Sequence, residues 1–493
     1  MAEEWATFGA DLHLDLRGAG QSTGLRAALM DALREAVRSG RLSAGVRLPS
    51  SRTLAADLGI ARNTVADAYA ELVAEGWLTA RQGSGTRVAR RSVPRRRTGS
   101  GGPGGQGRPG APGRPGGGRQ GAAAARRARA RPTYDLKPGA PDLASFPRAE
   151  WLKASRRALT AAPNEAFGYG DPRGRIELRT VLAEYLARAR GVYARPERIV
   201  ICSGFVHGLS LMGEVLRARR VREVAVESYG LDEHWRLLTR SGLRLPALPY
   251  DELGTRTEGL AGMKGVGAVL MTAAHQFPLG GALHPDRRVA AIDWARASGG
   301  LVLEDDYDGE FRYDRQPVGA LQGLDPERVV YLGTSSKSLA PGLRLGWMVL
   351  PESLVDDVVA LKGPMDWTGS ALDQLTFAEF LESGAYDRHV RAMRLRYRRR
   401  RDELVAAVAA HSPQTQVSGI AAGLHAVLEL PAGQEPEALR SAAWQGLAVL
   451  GLNRFRHPDT APTQDGLVVG YATPPDSAWT GALAALCRVL PAV

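Results

Sequence analysis

The sequence predicts an α/β protein of two modules: a small N-terminal module of three helices and a hairpin, and a large module with a mostly parallel sheet flanked by helices. The chain has 493 residues, too many for one compact domain. Residues 89–132 are rich in Gly, Pro and Arg and have little to bury, which predicts a disordered linker. Beyond it, apolar strand-like runs alternate with helical stretches. The predicted modules therefore span 1–88 and 133–493.

Composition excludes several classes of protein. No apolar run approaches the ~18 residues of a membrane span, so we expect no membrane partner. The first residues contain no hydrophobic signal region. Cys202 and Cys487 are the only cysteines, which excludes a disulfide framework and suits a reducing cytoplasm.

The positive charge is concentrated in the linker. The net charge is +12, and the stretch from Arg90 to Arg131 contains twelve arginines but no lysine and no acidic residue. The rest of the chain is therefore close to neutral. Such a basic tether attracts phosphates by charge without reading a nucleotide sequence.

Three helices are predicted in the first module. The first follows Ser22 and Thr23 and has one apolar face, formed by Leu25, Ala28, Leu29, Ala32, Leu33, Ala36 and Val37. A short second helix is capped by Ser50 or Ser51. The third, in ARNTVADAYAELVAEG, directs four side chains inward: Val65, Ala68, Tyr69 and Leu72. WLTARQGSGTRVA then predicts a small hairpin with glycines at its tip.

The second and third helices, joined by a tight turn, predict a helix-turn-helix. In this motif the second helix enters the major groove of DNA, and its first residues meet the bases. Here those residues are Arg62, Asn63 and Thr64, whose polar groups suit base edges and phosphates. The alternative is a generic three-helix bundle whose third helix has a polar start.

Residues 24–88, which include GRLSAGVRLPSSRTLAADLGIARNTVADAYAELVAEGWLTARQGSGTRV, resemble the GntR-type winged helix-turn-helix from end to end. The resemblance implies that the partner is an operator in double-stranded DNA. It also implies the residues that face DNA, with the last two at the wing tip: Arg52, Arg62, Asn63, Thr64, Gln82 and Gly83. The chain has Ala66 where this family often has a basic residue.

In the large module, the segment GLVLEDDYDGEFRY contains candidate functional residues. Alternation along a strand places Asp305 and Tyr307 on one face, and Glu304 and Asp306 on the other. The pleat thus separates the acids, which argues against a metal centre, and we expect none. A carboxylate beside a phenol suits a heteroaromatic cofactor, whose ring nitrogen and ring hydroxyl they would hold. With a Schiff-base lysine, these are the groups that pyridoxal phosphate (PLP) requires.

TSSKSLAPGLRLGW supplies that lysine, Lys337, in a turn of small residues. Thr334 and Ser336 can bond a phosphate, and Arg344, on a predicted strand, can hold it bidentately. Upstream, ICSGFVHGL places Ser203 and Gly204 before a helix, whose first N–H groups favour a phosphate. Each signal alone has a plainer interpretation as a surface lysine or an ordinary turn, but their order along the chain favours one site.

Residues 134–493 resemble the fold type I aminotransferases, from FGYGDPRGRIELRTVLAEYLARARGV onward. The resemblance implies that Lys337 forms the aldimine with PLP, that Asp305 pairs with the pyridine nitrogen and that Tyr307 meets the ring hydroxyl. It further implies the phosphate ligands, the last of them lent by a partner subunit: Gly204, Phe205, Thr334, Ser336, Arg344 and Tyr169. By the same resemblance, His275 and Gln276 in AAHQFPLGG lie near the ring.

The two modules in this order resemble the MocR/GabR-type regulators, through AAHQFPLG, EDDYDGEFRY and SSKSLAPGLRLGW. This resemblance implies a cytoplasmic, nucleoid-associated transcription factor that senses an amine, an amino acid or PLP itself through the Lys337 aldimine. It also implies a head-to-tail homodimer. From the residues themselves, the part after about residue 365 is helix-rich and is predicted to form a smaller C-terminal α+β subdomain. The runner-up is a working aminotransferase with an accessory DNA-binding module. A DNA-binding scaffold with an inactive enzyme domain is disfavoured by the intact cofactor residues.

Two departures from the family pattern concern the ligand. Tyr229 and Leu231 in VESYGL stand where relatives have the proline and tyrosine of VEDPGY. Val468 in GLVVGYA stands where amino-acid-binding relatives often have an arginine, so a carboxylate needs Arg454 or Arg456 instead. Transamination of ordinary α-amino acids is therefore less expected than cofactor binding.

The arginine-rich stretch RHVRAMRLRYRRRRDEL has a structural interpretation. Val390, Met393, Tyr397 and Leu404 lie at helical spacing, so the arginines mostly fall on the solvated face. We therefore expect a structural helix in preference to a second DNA contact.

Overall fold

The computed structural model describes residues 25–38, 42, 45–74, 77–81, 85–89, 132–313, 319–365, 369–462 and 464–491. The chain divides into two compact units, residues 1–114 and 115–493. Nearly all of the predicted linker, together with Gln82 and Gly83 of the predicted wing tip, lies outside the described residues. Within them, no helix is both long and apolar enough to cross a bilayer.

The first unit contains the three predicted helices, α1 (Leu25–Arg38), α2 (Ser51–Leu58) and α3 (Arg62–Ala74). Ser50 caps α2 by accepting a hydrogen bond from the Thr53 amide, and Gly59 ends the helix with a φ of 65°. The four inward residues predicted for α3 are all buried. Leu25 is an exception to the predicted face of α1: it is 56 % exposed, because it begins the helix beyond the reach of its neighbours.

A two-stranded antiparallel hairpin of β1 (Leu78–Arg81) and β2 (Gly85–Val88) follows, as predicted. Leu78 and Val88 are paired and both buried, so the hairpin closes the small core. Arg47, in the segment before α2, forms an isolated β-bridge with Arg87 of β2. The three helices and hairpin make a winged helix-turn-helix.

A seven-stranded sheet forms the centre of the large unit. Its strands, in chain order, are β4 (Ile199–Cys202), β5 (Glu223–Glu227), β6 (Ala247–Leu248), β9 (Val266–Met271), β10 (Leu301–Asp306), β11 (Val329–Thr334) and β12 (Gly346–Val349). The strand order is β4-β12-β11-β10-β9-β5-β6. The sheet is mostly parallel, as predicted, but β12 runs antiparallel to both of its neighbours. Three short strands lie outside it: β3 (Tyr134–Asp135), β7 (Tyr250–Asp251) and β8 (Gly254–Thr255).

Helices flank this sheet, and their packing buries its largely apolar strands. They are α4 (Arg148–Ala161), α5 (Ile176–Arg190), α6 (Phe205–Ala218), α7 (Asp232–Arg240), α8 (Pro285–Ser298), α9 (Glu352–Met365) and α10 (Ala371–Glu382). The carboxyl ends of β10 and β11 lead directly into Tyr307 and the Lys337 turn. These ends are where open α/β sheets commonly bind ligands.

The C-terminal part is α+β, as predicted, with a four-stranded antiparallel sheet of order β13-β14-β17-β16. Its elements, with the short β15, are α11 (Ala385–His411), β13 (Val417–Ser418), β14 (Ala426–Leu430), α12 (Glu435–Trp444), β15 (Leu447–Ala448), β16 (Leu450–Gly451), β17 (Asp465–Val469) and α13 (Asp476–Cys487).

Helix α11 carries the arginine-rich stretch and is structural, because the four residues predicted to face inward, Val390, Met393, Tyr397 and Leu404, are all buried. Arg400 departs from the predicted solvated face, because its side chain is fully buried. Its guanidinium lies 2.6 Å from Asp476 and 3.5 Å from Asp142, and it also donates to the Pro474 carbonyl. Paired in this way, a buried charge ties α11 to two distant segments.

Candidate functional site

Lys337 lies in the turn between β11 and β12, with its amine directed into the protein. Nζ donates a 2.5 Å hydrogen bond to the carbonyl oxygen of Gly139. Burial lowers the pKa of Lys337, and the nearby carboxyl of Asp305 acts in the opposite direction. A lowered pKa favours the neutral amine, which is the nucleophilic form.

Asp305 projects from β10 toward the same space. Its carboxyl is 6 % exposed, and Oδ1 has no hydrogen-bond partner among the described residues. Burial raises the pKa of Asp305 well above its usual range, while Lys337 opposes the shift. A buried carboxylate atom without a partner is costly, so it indicates a missing cationic or N–H group.

The neighbouring acids point away, as the alternation of the strand predicts. Glu304 accepts hydrogen bonds from the amides of Leu321 and Gln322, at 2.7 and 3.0 Å. Asp306 binds Arg190 on the opposite face, through contacts of 2.7 and 2.9 Å. Each is already satisfied by groups that stabilise the sheet, so Asp305 alone serves the cavity.

Tyr307 follows β10, and its hydroxyl lies 3.0 Å from Nδ1 of His275. The same Nδ1 is 2.8 Å from Oδ2 of Asp308. Burial raises the pKa of Tyr307 well above its usual range, so the phenol keeps its proton. His275 thus lies near the position that the family resemblance implied, although it contacts Tyr307 and does not line the cavity.

Among the residues that the structure describes, one group could hold a metal ion, although none was expected from the sequence. His275, Asp308 and His425 each offer one ligand atom, all within 4.8 Å of one another, and all three residues are buried. Hydrogen bonds already engage them, between His275 and Asp308 and between His425 Nε2 and the Pro278 carbonyl, at 3.1 Å. The cluster therefore has a complete explanation without an ion.

The residues predicted to bind a phosphate lie together where α6 begins. Gly204 precedes the helix with a φ of 87°, and a Cβ at this residue would lie 3.0–3.2 Å from the Arg344 guanidinium. Arg344 donates to the Ser203 carbonyl. Arg344 was predicted to lie on a strand, and this prediction is wrong. The residue has a left-handed φ of 52° after a turn, which directs its side chain back toward Gly204. Thr334 and Ser336 hydrogen-bond each other at 2.9 Å.

These groups meet in one cavity of about 390 Å³. The predicted residues that line it are Asp305, Tyr307, Lys337, Thr334, Ser336, Arg344 and Phe205. They offer an unpartnered carboxylate, a phenol, an amine and a cluster of cationic, hydroxyl and helix N-terminal donors. This donor set fits the ring nitrogen, ring hydroxyl, aldehyde and phosphate of PLP. Gly204 supports Arg344 and does not itself line the cavity.

The remaining wall is largely apolar and includes both residues that depart from the family pattern, Tyr229 and Leu231. Val468 is fully buried in a cluster behind this wall and does not reach the cavity. Of the two candidate replacement arginines, Arg454 lines the cavity, 3.8 Å from Glu233. Arg456 instead donates to the Thr460 carbonyl.

Some residues of the site were not found from sequence, and some predicted ones lie elsewhere. Gly139 and His425 line the cavity without having been predicted. Gln276 does not line the cavity: its amide donates to the carbonyls of Tyr229 and Phe277. Tyr169 is 93 % exposed and lies outside the cavity of its own chain.

The predicted DNA-facing residues form a polar surface at the start of α3. Arg62 and Asn63 are exposed and Thr64 is half-exposed, while the next residue, Val65, is fully buried. Arg52 is exposed on α2. The apolar side of each helix thus fills the core and leaves these polar groups outward, as a helix that enters a major groove requires.

Comparison with known protein families assigns both units. Residues 134–461 match the aminotransferase class I and II family, and residues 25–88 match the gntR family of bacterial regulatory proteins. Among solved structures, an archaeal alanine:glyoxylate aminotransferase has a TM-score of 0.66 at 24 % identity, covering 75 % of this chain and 93 % of that one. This similarity establishes the fold of the large unit.

Curated relatives resemble the chain over nearly its whole length. The pyridoxine biosynthesis transcriptional regulator PdxR of Corynebacterium glutamicum is 31 % identical, over 92 % of this chain and 93 % of that protein. The probable rhizopine catabolism regulatory protein MocR of Rhizobium meliloti is 32 % identical, over 90 % of this chain and 89 % of that protein. The shared sequence therefore extends across both units.

Proposed function

Since the chain belongs to the MocR/GabR-type transcriptional regulators, with a GntR-type DNA-binding domain and an aminotransferase class I and II domain, we propose that it binds PLP through Lys337 and changes its operator occupancy when a small ligand enters the PLP site. Any ligand that does so must favour one conformational state of the protein over another.

The observation that carries this proposal is the pairing of Lys337 with Asp305 in one cavity. Bound PLP supplies an electron sink and an aldehyde that reacts with amines. The Asp305 carboxyl would pair with the ring nitrogen, and the Lys337 amine, whose pKa burial lowers, would hold the cofactor. Arg344, Thr334 and Ser336 would bind the phosphate.

The apolar wall bears on the ligand, which we propose to be an amine, an amino acid or PLP itself. Because Val468 is buried away from the cavity, an α-carboxylate finds no cation at that position. Arg454 lines the cavity and is half-exposed and loosely paired with Glu233, so it is the arginine that could receive an anion in place of the usual one. The relative named for pyridoxine biosynthesis supports PLP as the signal, and the one named for rhizopine catabolism supports a metabolite.

We also propose a head-to-tail homodimer in which Tyr169 serves the phosphate site of the partner. Its 93 % exposure and its absence from the lining of its own cavity support this role.

The cofactor test is visible absorption of the purified protein after loading with PLP. We expect a band above 400 nm, roughly where a PLP imine absorbs, that Lys337→Ala abolishes, since the amine is the attachment point. Lys264→Ala is the matched control, because Lys264 is exposed and does not line the cavity. A wild-type protein that stays colourless refutes the cofactor part of the proposal.

The regulatory test is a DNA-shift assay on the protein's own upstream region. Arg62→Ala should weaken selective binding about tenfold, while Arg26→Ala, which removes an equal charge from an exposed ion pair between α1 and α3, should not. Amino donors and a keto acid should give slow turnover or none. Rapid multiple turnover without selective DNA binding would favour the working aminotransferase.

A further inference from the structure

An imidazole of the cavity wall lies beside both the attachment lysine and the phosphate end. His234, on the first turn of α7, lines the cavity together with Phe205 and Lys337. Its ring packs against that of Phe205, with a centroid distance of 4.7 Å and an interplanar angle of 39°. The charge of Lys337 also acts on the imidazole, which indicates that the two side chains are close. His234 therefore neighbours both the amine and the start of α6.

The substituents of PLP relate this position to the cofactor ring. Neighbouring carbons of the pyridine ring carry the aldehyde and the phosphate arm, and the ring hydroxyl lies on the other side of the aldehyde. With Lys337 at the aldehyde and Phe205 beside the phosphate, a side chain that neighbours both lies against the ring itself.

A second imidazole near Lys337, that of His425, belongs to the other side of the aldehyde. Its ring centroid lies 5.2 Å from that of His275, whose Nδ1 is 3.0 Å from the Tyr307 hydroxyl. Tyr307 is the residue expected at the ring hydroxyl. The two histidines on which the charge of Lys337 acts thus flank the amine, His425 toward the hydroxyl and His234 toward the phosphate.

The same wall contains one of the departures from the family pattern. Leu231 precedes α7, three residues before His234, and both side chains line the cavity. The His234 amide donates a 3.0 Å hydrogen bond to the Leu231 carbonyl, so the two residues lie within one helical turn. Relatives have the tyrosine of VEDPGY where this chain has Leu231. The leucine thus removes an aromatic ring from this wall, and His234 supplies another one turn later.

We propose that His234 packs its imidazole against the PLP ring and supplies the aromatic ring that relatives carry at the position of Leu231. This rests on the proposed function, because it requires PLP in the cavity. The contact needs a flat ring and does not depend on which nitrogen carries the proton. Burial lowers the pKa of His234 to about 4, and the charge of Lys337 acts in the same direction. The imidazole is therefore neutral near pH 7 and adds no charge beside the amine.

Other aromatic rings of the cavity wall are packed more deeply into the protein. The ring of Phe277 meets that of Phe455 edge-on, with a centroid distance of 5.1 Å. Trp235 and Tyr229 are 8 % and 2 % exposed. His234 is only half-buried, so its ring is more accessible to a ligand than these four.

The test compares PLP with pyridoxal, which has the same ring but no phosphate. His234→Leu fills a similar volume without an aromatic ring, so we expect it to lose about tenfold in affinity for both compounds. His234→Phe keeps a flat ring and should stay within about twofold of the wild-type affinities. Visible absorption follows each equilibrium titration. A loss for PLP alone would place His234 at the phosphate and overturn the proposal.

A compensating variant tests the relation to Leu231. Leu231→Tyr, added to His234→Leu, should recover most of the lost affinity for both compounds, because residues one turn apart on a helix reach the same wall. A double variant that binds no better than His234→Leu would refute the proposed exchange of one aromatic ring for the other.

The control is His284→Asn, which replaces a helix-capping histidine outside the cavity by another capping residue and should bind both compounds as the wild type does. Urea unfolding of the cofactor-free variants ensures that the affinities are compared among folded proteins. Wild-type affinity in His234→Leu, or an equal loss in His234→Leu and His234→Phe, would overturn the proposal. A wild-type protein that stays colourless with PLP refutes the proposed function itself.

Discussion

Nζ of Lys337 donates to the carbonyl of Gly139, 198 residues earlier in the chain. Gly139 has a φ of +111° and lies shortly after the predicted linker, so the amine touches the first part of the large unit that the chain enters. The Thr473 hydroxyl lies 2.8 and 3.0 Å from the carbonyls on either side, those of Lys137 and Ala140. A group that bonds to the Lys337 amine must therefore change the hydrogen bond between that amine and the Gly139 carbonyl.

Thr473→Val should weaken PLP retention. The substitution keeps the shape of the side chain but removes the hydroxyl that holds the Gly139 segment, at a cost of about 1 kcal/mol, or roughly fivefold in the dissociation constant. The measurement is PLP release followed by visible absorption. Thr180→Val, which removes an exposed hydroxyl bonded within α5, is the control. Equal retention by both variants would show that the Gly139 segment does not support the cofactor.

Arg344→Ala should lose affinity for PLP while keeping its affinity for pyridoxal, which has no phosphate. A guanidinium that holds a phosphate contributes about 2–3 kcal/mol, so we expect a loss on the order of 100-fold for PLP. Equilibrium titrations with both compounds measure the difference. A parallel loss for pyridoxal would place Arg344 elsewhere than at the phosphate.

Gly204→Ala should reproduce part of this defect with Arg344 intact. The added Cβ would lie 3.0–3.2 Å from the guanidinium, and a φ of 87° is strained for alanine by about 1–2 kcal/mol. As for Arg344→Ala, we expect the substitution to reduce the affinity for PLP more than the affinity for pyridoxal. Gly262→Ala is the control, since a Cβ there meets nothing within 4 Å. An unaltered PLP affinity in Gly204→Ala would contradict the proposed phosphate site.

The sequence predicts those parts of the site that depend on local periodicity. Alternation along β10 separates Asp305 from Glu304 and Asp306, and the structure places them so. Gly139 could not be predicted from local pattern, because its contact with Lys337 is made only by the folding of distant segments. The same holds for Arg400, whose burial depends on acids remote in the chain.

Backbone conformation was a second source of error. The string GLRLGW has strand-like alternation, but Arg344 adopts a left-handed conformation before β12 begins at Gly346. No periodicity signals such a residue, because a non-glycine residue with positive φ is held by its surroundings. The contact of its guanidinium with Ser203 is one such constraint.

Mixing two variants, one that lacks the attachment lysine and one with weakened binding, should restore tight cofactor binding if Tyr169 serves the partner subunit. Lys337→Ala lacks the amine, and Tyr169→Phe should bind PLP several-fold more weakly through the loss of one phosphate hydrogen bond. In a mixed dimer, one of the two sites contains both Lys337 and Tyr169. After subunit exchange in an equal mixture, we expect tight PLP binding at up to half of the sites that contain Lys337. Visible absorption measures this binding. Additive behaviour of the mixture would refute the shared site.

Glu310→Gln should make the stability of the protein less dependent on pH. Burial, followed by the charge of Asp306, raises the pKa of Glu310 from 4.5 to about 7. Between these values the folded state holds more protons than the unfolded state, so this contribution to stability is complete below pH 4.5 and is lost as the pH rises through 7. The slope should fall by up to about 1.4 kcal/mol per pH unit in the variant.

Urea unfolding followed by tryptophan fluorescence at pH 5, 6 and 7 measures this slope. The glutamine oxygen can still accept the 3.1 Å hydrogen bond from the Tyr386 hydroxyl, so the variant should fold. Some dependence should remain, because burial also raises the pKa of Glu304 to about 7. Glu382→Gln, at an exposed position, should retain the wild-type slope. If Glu310→Gln retains it as well, the Glu310 carboxyl is already ionised at pH 5 in the folded protein, against the direction that its burial requires.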